Sequence, residues 1–260
     1  MTGLTALVLA GSRGPDDPMT LASGARHKAL IPVGGTPMLL RVIRALATTP
    51  EIGRIVVCIE IPELIPTLPG LAEAAGDTPV IAFPAAGSPA RSVAAALAAF
   101  GTPLLVTTAD HALLQPEWLR YFIAHVPKAA DAAVALARSD VVLSATPDTQ
   151  RTFLRFRGAA YSGCNLFYFA TPAASQLATL WQRIETLRKQ PLKMIGLLGY
   201  GYALRYRFGW LKLADALQRL GQLAGGTTAA VVEMPFGRAA IDVDKPADLA
   251  LVERLLREQS

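Results

Sequence analysis

The character of the strand-like runs is what most constrains this chain. "TALVLA", "RIVVCIE", "TPVIAF", "PLLVTTAD", "DAAVALARS", "NLFYFA" and "TTAAVVEMP" are largely apolar and β-branched along their whole length, not at alternate positions. A strand with one wet face alternates, so runs of this kind are covered on both faces, as in a mainly parallel sheet. Helical patterns separate them. "TPMLLRVIRALAT" reads as a helix opened by Thr36 with Pro37 at its first position, and "SPARSVAAALAAF" as one capped by Ser88 with Pro89 following. "QPEWLRYFIAHV", "PAASQLATLWQRIETLRK" and "KPADLALVERLLRE" complete the set, and residues 190–225 read as an inserted helical pair. The expected class is α/β: a Rossmann-like, mainly parallel (mixed) sheet flanked by helices, in one domain spanning residues 1–260. Such sheets bind ligands outside the carboxyl ends of their strands. The loops after "LVLA" and after "LLVTTAD" both fall at that edge.

Composition narrows the classes further. Hydrophobic residues make up 52% of the chain and charged ones 17%, below the roughly 25% usual for soluble domains. So thin a charged shell points to a homo-oligomer interface or to a sticky surface. Cys58 and Cys164 lie far apart inside apolar runs, as buried thiols in a reducing compartment do, and are too few for a metal framework. The amino-terminal apolar run is strand-length with no basic residues ahead of it, and no run reaches the roughly 20 apolar residues of a membrane span. The expected location is the cytoplasm. The net charge of +5 is uneven: residues 183–219 hold eight basic and two acidic side chains, a net +6, which leaves the rest near neutral.

Two stretches carry chemistry. In "LAGSRG" (Leu9, Ala10, Gly11, Ser12, Arg13, Gly14) the glycines permit tight turns that aim backbone N–H groups at an anion. It is not a Walker A loop, because no Lys-Ser or Lys-Thr pair follows Gly14, and its spacing fails the dinucleotide fingerprint. Then "HKALIPVGGTPML" sets Lys28 before an apolar stretch, a Gly-Gly turn and a proline-started helix. Lys28 could fold back over the loop as a point cation for phosphate; a solvated surface lysine is the plainer reading.

"LVLAGSRG…KALIPVGGTPMLLRVI" resembles the signature of the GT-A-fold nucleotidyltransferases, among them the molybdenum-cofactor guanylyltransferase and the sugar-phosphate and methylerythritol-phosphate nucleotidylyltransferases. Further segments match in order over about residues 4–180 and 229–257. The resemblance implies transfer of a nucleotidyl group from an NTP, CTP or GTP favoured, to a phosphorylated small-molecule acceptor, with Mg²⁺ and release of pyrophosphate. It implies phosphate binding by Leu9, Ala10, Gly11, Ser12 and Gly14, with Lys28 and either Arg13 or Arg26 as the catalytic cations. Arg91 and Ser92 of "GSPARSVAAAL" match the base-reading segment. Asp110 of "LLVTTADHALL" matches the metal-holding aspartate, and Gly163 and Asn165 of "YSGCNLFYF" the acceptor-side turn and strand. In "IDVDKPADLA", Asp242 matches the acidic position that completes the metal site, with Asp244 as the other candidate; Asp248 reads as a helix-end charge. Arg155 and Arg157, two apart in "FLRFRG", could meet the acceptor or form an exposed edge. Two other classes remain open: a GT-A glycosyltransferase using "DVD" as its metal motif, and a non-catalytic nucleotide-binding or membrane-surface scaffold.

Residues 190–225 lie outside the resemblance. Their basic side chains are interleaved with Tyr200, Tyr202, Tyr206, Phe208 and Trp210. No nucleic-acid recognition module is present, so no nucleic-acid partner is expected. A helical hairpin packed on the domain would explain the pattern. So would a cap over the acceptor site that touches an anionic membrane surface.

Overall fold

The structure is a computed structural model and describes residues 3–12, 17–187 and 189–258. From the amino terminus, β1 (Leu4–Leu9) is followed by α1 (Pro18–Ser23), the short strands β2 (Pro32–Val33) and β3 (Thr36–Pro37), and α2 (Met38–Ala47). Next come β4 (Ile52–Ile59), α3 (Leu71–Ala75), β5 (Val80–Pro84), α4 (Pro89–Phe100), β6 (Leu104–Thr108) and α5 (Pro116–His125). The second half runs β7 (Ala132–Arg138), α6 (Ser139–Ala145), β8 (Leu154–Phe156), β9 (Ala159–Phe169) and α7 (Ser175–Leu187). It closes with α8 (Pro191–Leu198), α9 (Tyr200–Arg207), α10 (Leu213–Leu223), β10 (Ala229–Glu233) and α11 (Pro246–Arg257).

Eight strands form one mixed sheet in the order β10-β7-β9-β6-β1-β4-β5, with β8 added on β9. The pairs β1/β4, β1/β6, β4/β5 and β7/β10 are parallel, while β9 runs antiparallel to both β6 and β7. Burial explains the continuous apolar runs. In β4, Ile55, Val57 and Ile59 face one core, beside Leu39 and Ile43 of α2, Phe122 of α5 and Val252 of α11. Val56 and Cys58 face the other, beside Val93 of α4 and Ala178 of α7. These β4 side chains therefore meet a helix layer whichever way they point. Cys58 and Cys164 are buried free thiols, and burial pushes the Cys164 thiol up to about 12.

Successive strands build outward from β1 through β4 to β5, and the chain then returns to place β6 on the other side of β1. That reversal opens a crevice at the carboxyl ends of β1 and β6. Gly11 and Asp110 both follow these strand ends.

Two local expectations are corrected. Gly34 and Gly35, at φ of 55° and 77°, turn the chain so that Val33 pairs with Thr36. Thr36 and Pro37 thus belong to a hairpin, and α2 starts at Met38. Residues 190–225 form three short helices, not two, because Gly199 at φ 105° breaks the run between α8 and α9. Among the described residues, no helix is long and apolar enough to cross a membrane.

The last insertion helix is locked to the sheet. A Cβ on Gly221 of α10 would lie 2.1 Å from the Thr227 carbonyl oxygen, just before β10. Gly221→Ala must push backbone from backbone, so we expect a loss of about 2–3 kcal/mol, read as a lowered Tm.

Candidate active site

At the end of β1 the Ala10 N–H bonds the Cys58 carbonyl at 2.8 Å, which ties the first loop to β4. Two residues further along, the loop meets a carboxylate: Ser12 N–H donates to Glu60 Oε1 at 2.9 Å. Glu60 directly follows β4, and its Oε2 lies 3.1 Å from His27 Nε2. His27 Nδ1 accepts from the Ala29 N–H at 3.1 Å, so Nε2 carries the ring proton and donates to Glu60. A carboxylate thus holds a loop N–H that the sequence reading assigns to phosphate.

Lys28 opens a single 3-10 turn, Lys28–Leu30, capped by the His27 ring. Its Nζ lies 2.9 Å from Asp110 Oδ2 and 2.9 Å from Asp244 Oδ1. Burial alone would depress the Lys28 pKa, but the two carboxylates reverse this and hold it above the usual lysine value. Asp110 follows β6, and its carbonyl accepts from the Val243 N–H at 3.0 Å, which draws the closing loop to the same edge. Its Oδ1 is buried without a hydrogen-bond partner among the described residues. Next to it, His111 is buried and pushed down to about 4 by desolvation, hence neutral, and stacks on Trp118.

Asp242 is buried. Arg151 Nη1 bonds its Oδ1, and Asn165 Nδ2 bonds its Oδ2 at 2.7 Å. Asn165, within β9, has φ 49°, the one positive value outside glycine among the described residues. Left-handed backbone at an asparagine inside a strand marks a position held for its side chain. The Asp242 pKa rises to about 6: burial is the largest cause, Arg151 opposes it, and Asp110 and Asp244 add to it. The folded chain therefore binds the Asp242 proton more tightly than the unfolded chain, whose carboxyl keeps the ordinary 3.8. Stability from this group is present at low pH and lost as pH rises from about 4 through 6. In metal-free protein, unfolding free energy of the wild type minus that of Asp242→Asn should fall by about 3 kcal/mol at most across this window. Denaturant titrations at several pH values measure it.

Other expected site residues are scattered more widely. Arg13 and Gly14 lie outside the described residues. Arg26 is exposed and makes no ion pair among the described residues. Arg91 is exposed, with its N–H 3.4 Å from the capping Ser88 Oγ. Ser92 is buried and accepts from the Ala86 N–H at 3.0 Å, which pins the loop after β5. Gly163 pairs with Leu136 in the sheet, two residues before Asn165. Arg155 and Arg157 are exposed at β8. Asp248 accepts from the N–H groups of Asp244 and Lys245 at 3.1 and 2.9 Å and caps α11.

Sequence reasoning missed two participants. Glu60 ends "RIVVCIE" as Asp110 ends its own strand, so the same strand-end carboxylate signal could have found it. Arg151 lies in the polar loop "PDTQRTF", where no spacing distinguishes it.

Residues 6–195 match the family model of the MobA-like NTP transferase domain. Comparison with curated proteins finds no match. Among solved structures, a hypothetical transferase from Thermus thermophilus is 28% identical, with a TM-score of 0.81 over 95% of this chain and 99% of that one. The 4-diphosphocytidyl-2C-methyl-D-erythritol synthase of Anaerococcus prevotii shares the fold at 14% identity, with a TM-score of 0.61 over 98% and 99% of the two chains. A CMP:2-keto-3-deoxy-manno-octonic acid synthetase complexed with CTP does so at 12% identity and a TM-score of 0.56, over 99% of each chain. With nearly three quarters of its length inside the family match, this chain belongs to the MobA-like NTP transferase family and is a nucleotidyltransferase.

Proposed function

We propose that the protein transfers a nucleoside monophosphate from an NTP to a phosphorylated small-molecule acceptor and releases pyrophosphate. One observation carries this reading. Asp110, Asp242, Asp244, Lys28 and Arg151, from four distant parts of the sequence, meet at the switch point of the sheet beside the glycine loop. The acceptor phosphate attacks the α-phosphorus, the bond to the β-phosphate oxygen breaks, and pyrophosphate leaves with its electron pair. No protein nucleophile is needed. The work of the site is to bring two anions together and to offset their charge. Lys28 would supply a positive charge against the triphosphate, assisted by Arg13 or Arg26. Asn165 and Arg151 would orient Asp242.

The donor set also fits a magnesium ion: carboxylate oxygens are hard ligands, and Asp110 Oδ1 is buried without a partner among the described residues. Among those residues no preformed cluster of three ligating side chains is present, and Lys28 and Arg151 pair with the carboxylates. Asp110 and Asp242 would hold the ion. Bound there it supplies charge neutralisation at the phosphate oxygens. CTP and GTP are the donors to try first: the sequence resemblance favours both, and for CTP one structural relative is solved with that nucleotide and another is named for a cytidylyl product. The buried, unbridged thiols accord with a reaction in the cytoplasm.

Glu60 gives the first test. Its carboxylate stands on the loop that would receive phosphate, and its side chain is about two-fifths exposed. Glu60→Gln keeps an acceptor for Ser12 and removes the like charge. The KM for NTP should fall about two- to fivefold with kcat little changed, as expected for one screened charge. Steady-state kinetics at varied NTP measure this, and a raised KM would mean that Glu60 serves binding.

A further inference from the structure

Neither the fold nor the catalytic site accounts for the face built by α8, α9 and the start of α10. Helices α8 and α9 contain no buried residue. Yet Leu192, Tyr200, Leu204, Tyr206, Phe208 and Trp210 supply six of the eleven exposed large hydrophobic side chains among the described residues. Leu192 is 75% exposed and Trp210 62%. Phe208 and Trp210 stack on one another at 5.2 Å and leave their outer faces to solvent. A concentration of apolar surface on this scale marks a contact site.

The charges carried by the same segment identify what covers it. Arg205 is engaged by Asp215 at 2.5 Å, and Arg219 donates to the Leu198 carbonyl at 2.9 Å, so both serve the insertion itself. Lys193, Arg207 and Lys212 are exposed, and no ion pair among the described residues holds them. A twofold contact between copies of this chain would set these cations against themselves, which disfavours a dimer here. A nucleic acid would satisfy the cations but leave Leu192 and Leu204 uncovered. Basic side chains among aromatic and aliphatic ones suit a bilayer interface, where rings lie at headgroup level and cations meet lipid phosphate. We infer that this face docks the enzyme peripherally on a bilayer that carries anionic phospholipid. The face continues into the catalytic domain through β8: Phe156 packs on Tyr206 at 5.7 Å, and the Arg157 N–H bonds the Leu211 carbonyl at 2.8 Å. This inference does not depend on the catalytic reading above.

Co-sedimentation of the full chain with vesicles tests it, comparing phosphatidylcholine alone with equal parts phosphatidylcholine and phosphatidylglycerol. Binding is expected only to the anionic vesicles. It should be lost near 1 M salt, where the Debye length shrinks to about 3 Å. The combined variant Lys193→Gln, Arg207→Gln, Lys212→Gln should lower partitioning on the order of 100-fold, since each basic residue near an anionic surface is worth about fivefold. Phe208→Ser with Trp210→Ser should weaken binding independently of salt, and unchanged melting of both variants confirms that they fold. Equal binding to neutral vesicles, or none to anionic vesicles at low salt, would overturn the inference. So would a dimer by sedimentation that Phe208→Ser with Trp210→Ser dissociates, because a second copy would then cover the face.

Discussion

Lys28→Ala is expected to lower kcat by about 10²–10³, the cost of removing one positioned electrostatic contact from a charge-developing transition state. The geometry adds a second consequence. Lys28 joins Asp110, at the end of β6, to Asp244, before α11, and its side chain is only 14% exposed. Its removal leaves carboxylates facing one another with one cation fewer, so stability should also fall, by about 1–3 kcal/mol. The sequence alone supports the kinetic half with stability nearly unchanged, because a lysine reaching over a phosphate loop need not hold the fold together. Mg²⁺ should restore more of the lost Tm in Lys28→Ala than it adds to the wild type, since the ion replaces the missing charge. A variant with unchanged kcat at saturating NTP would remove Lys28 from the chemistry and leave it a structural tie.

Asp110→Asn and Asp242→Asn should each reduce Mg²⁺-dependent turnover on the order of 10³-fold, the several kcal/mol that a bound cation gives to phosphoryl charge. They differ in the metal-free protein. Asp242 is buried and costly to ionise, so Asp242→Asn should raise the Tm near neutral pH by a few degrees. Asp110→Asn takes an anion from Lys28 and should lower it. Calorimetric titration with Mg²⁺ and NTP separates loss of metal from loss of fold. Asp244 is the informative control: its Oδ1 is 2.9 Å from Lys28 Nζ, so Asp244→Asn should act through Lys28, with a smaller loss of turnover and Mg²⁺ affinity nearly retained. A severe metal defect in Asp244→Asn with a mild one in Asp242→Asn would exchange the two assignments.

The parts legible in the sequence were those where local chemistry and global fold agree. Unbroken apolar runs such as "RIVVCIE" require two covered faces, and the two helix layers on β4 provide them. Ser88 and Pro89 start α4 where capping rules place a helix start. Asp110 stood out because "LLVTTADHALL" resembles the family strand whose terminal aspartate holds the metal. What could not be read depends on long-range contact. Arg151 matters only because the chain brings it to Asp242, 91 residues away. The hairpin of β2 and β3 took Thr36 from α2 because its pairing partner across the Gly-Gly turn outweighed its capping tendency. Ser92 illustrates the reverse case: a motif match drew attention to it, while its hydroxyl is used by the Ala86 N–H.

Nucleotidyl transfer is read out by pyrophosphate release, measured with each of the four NTPs against a panel of sugar, polyol and cofactor phosphates. Release is expected with one NTP, CTP or GTP, only when a phosphorylated acceptor is present. That release should depend on Mg²⁺, be stoichiometric with a nucleoside-diphosphate-linked product, and collapse in Lys28→Ala. Pyrophosphate formed at the same rate without any acceptor, or from none of the NTPs with any phosphorylated compound, would contradict it.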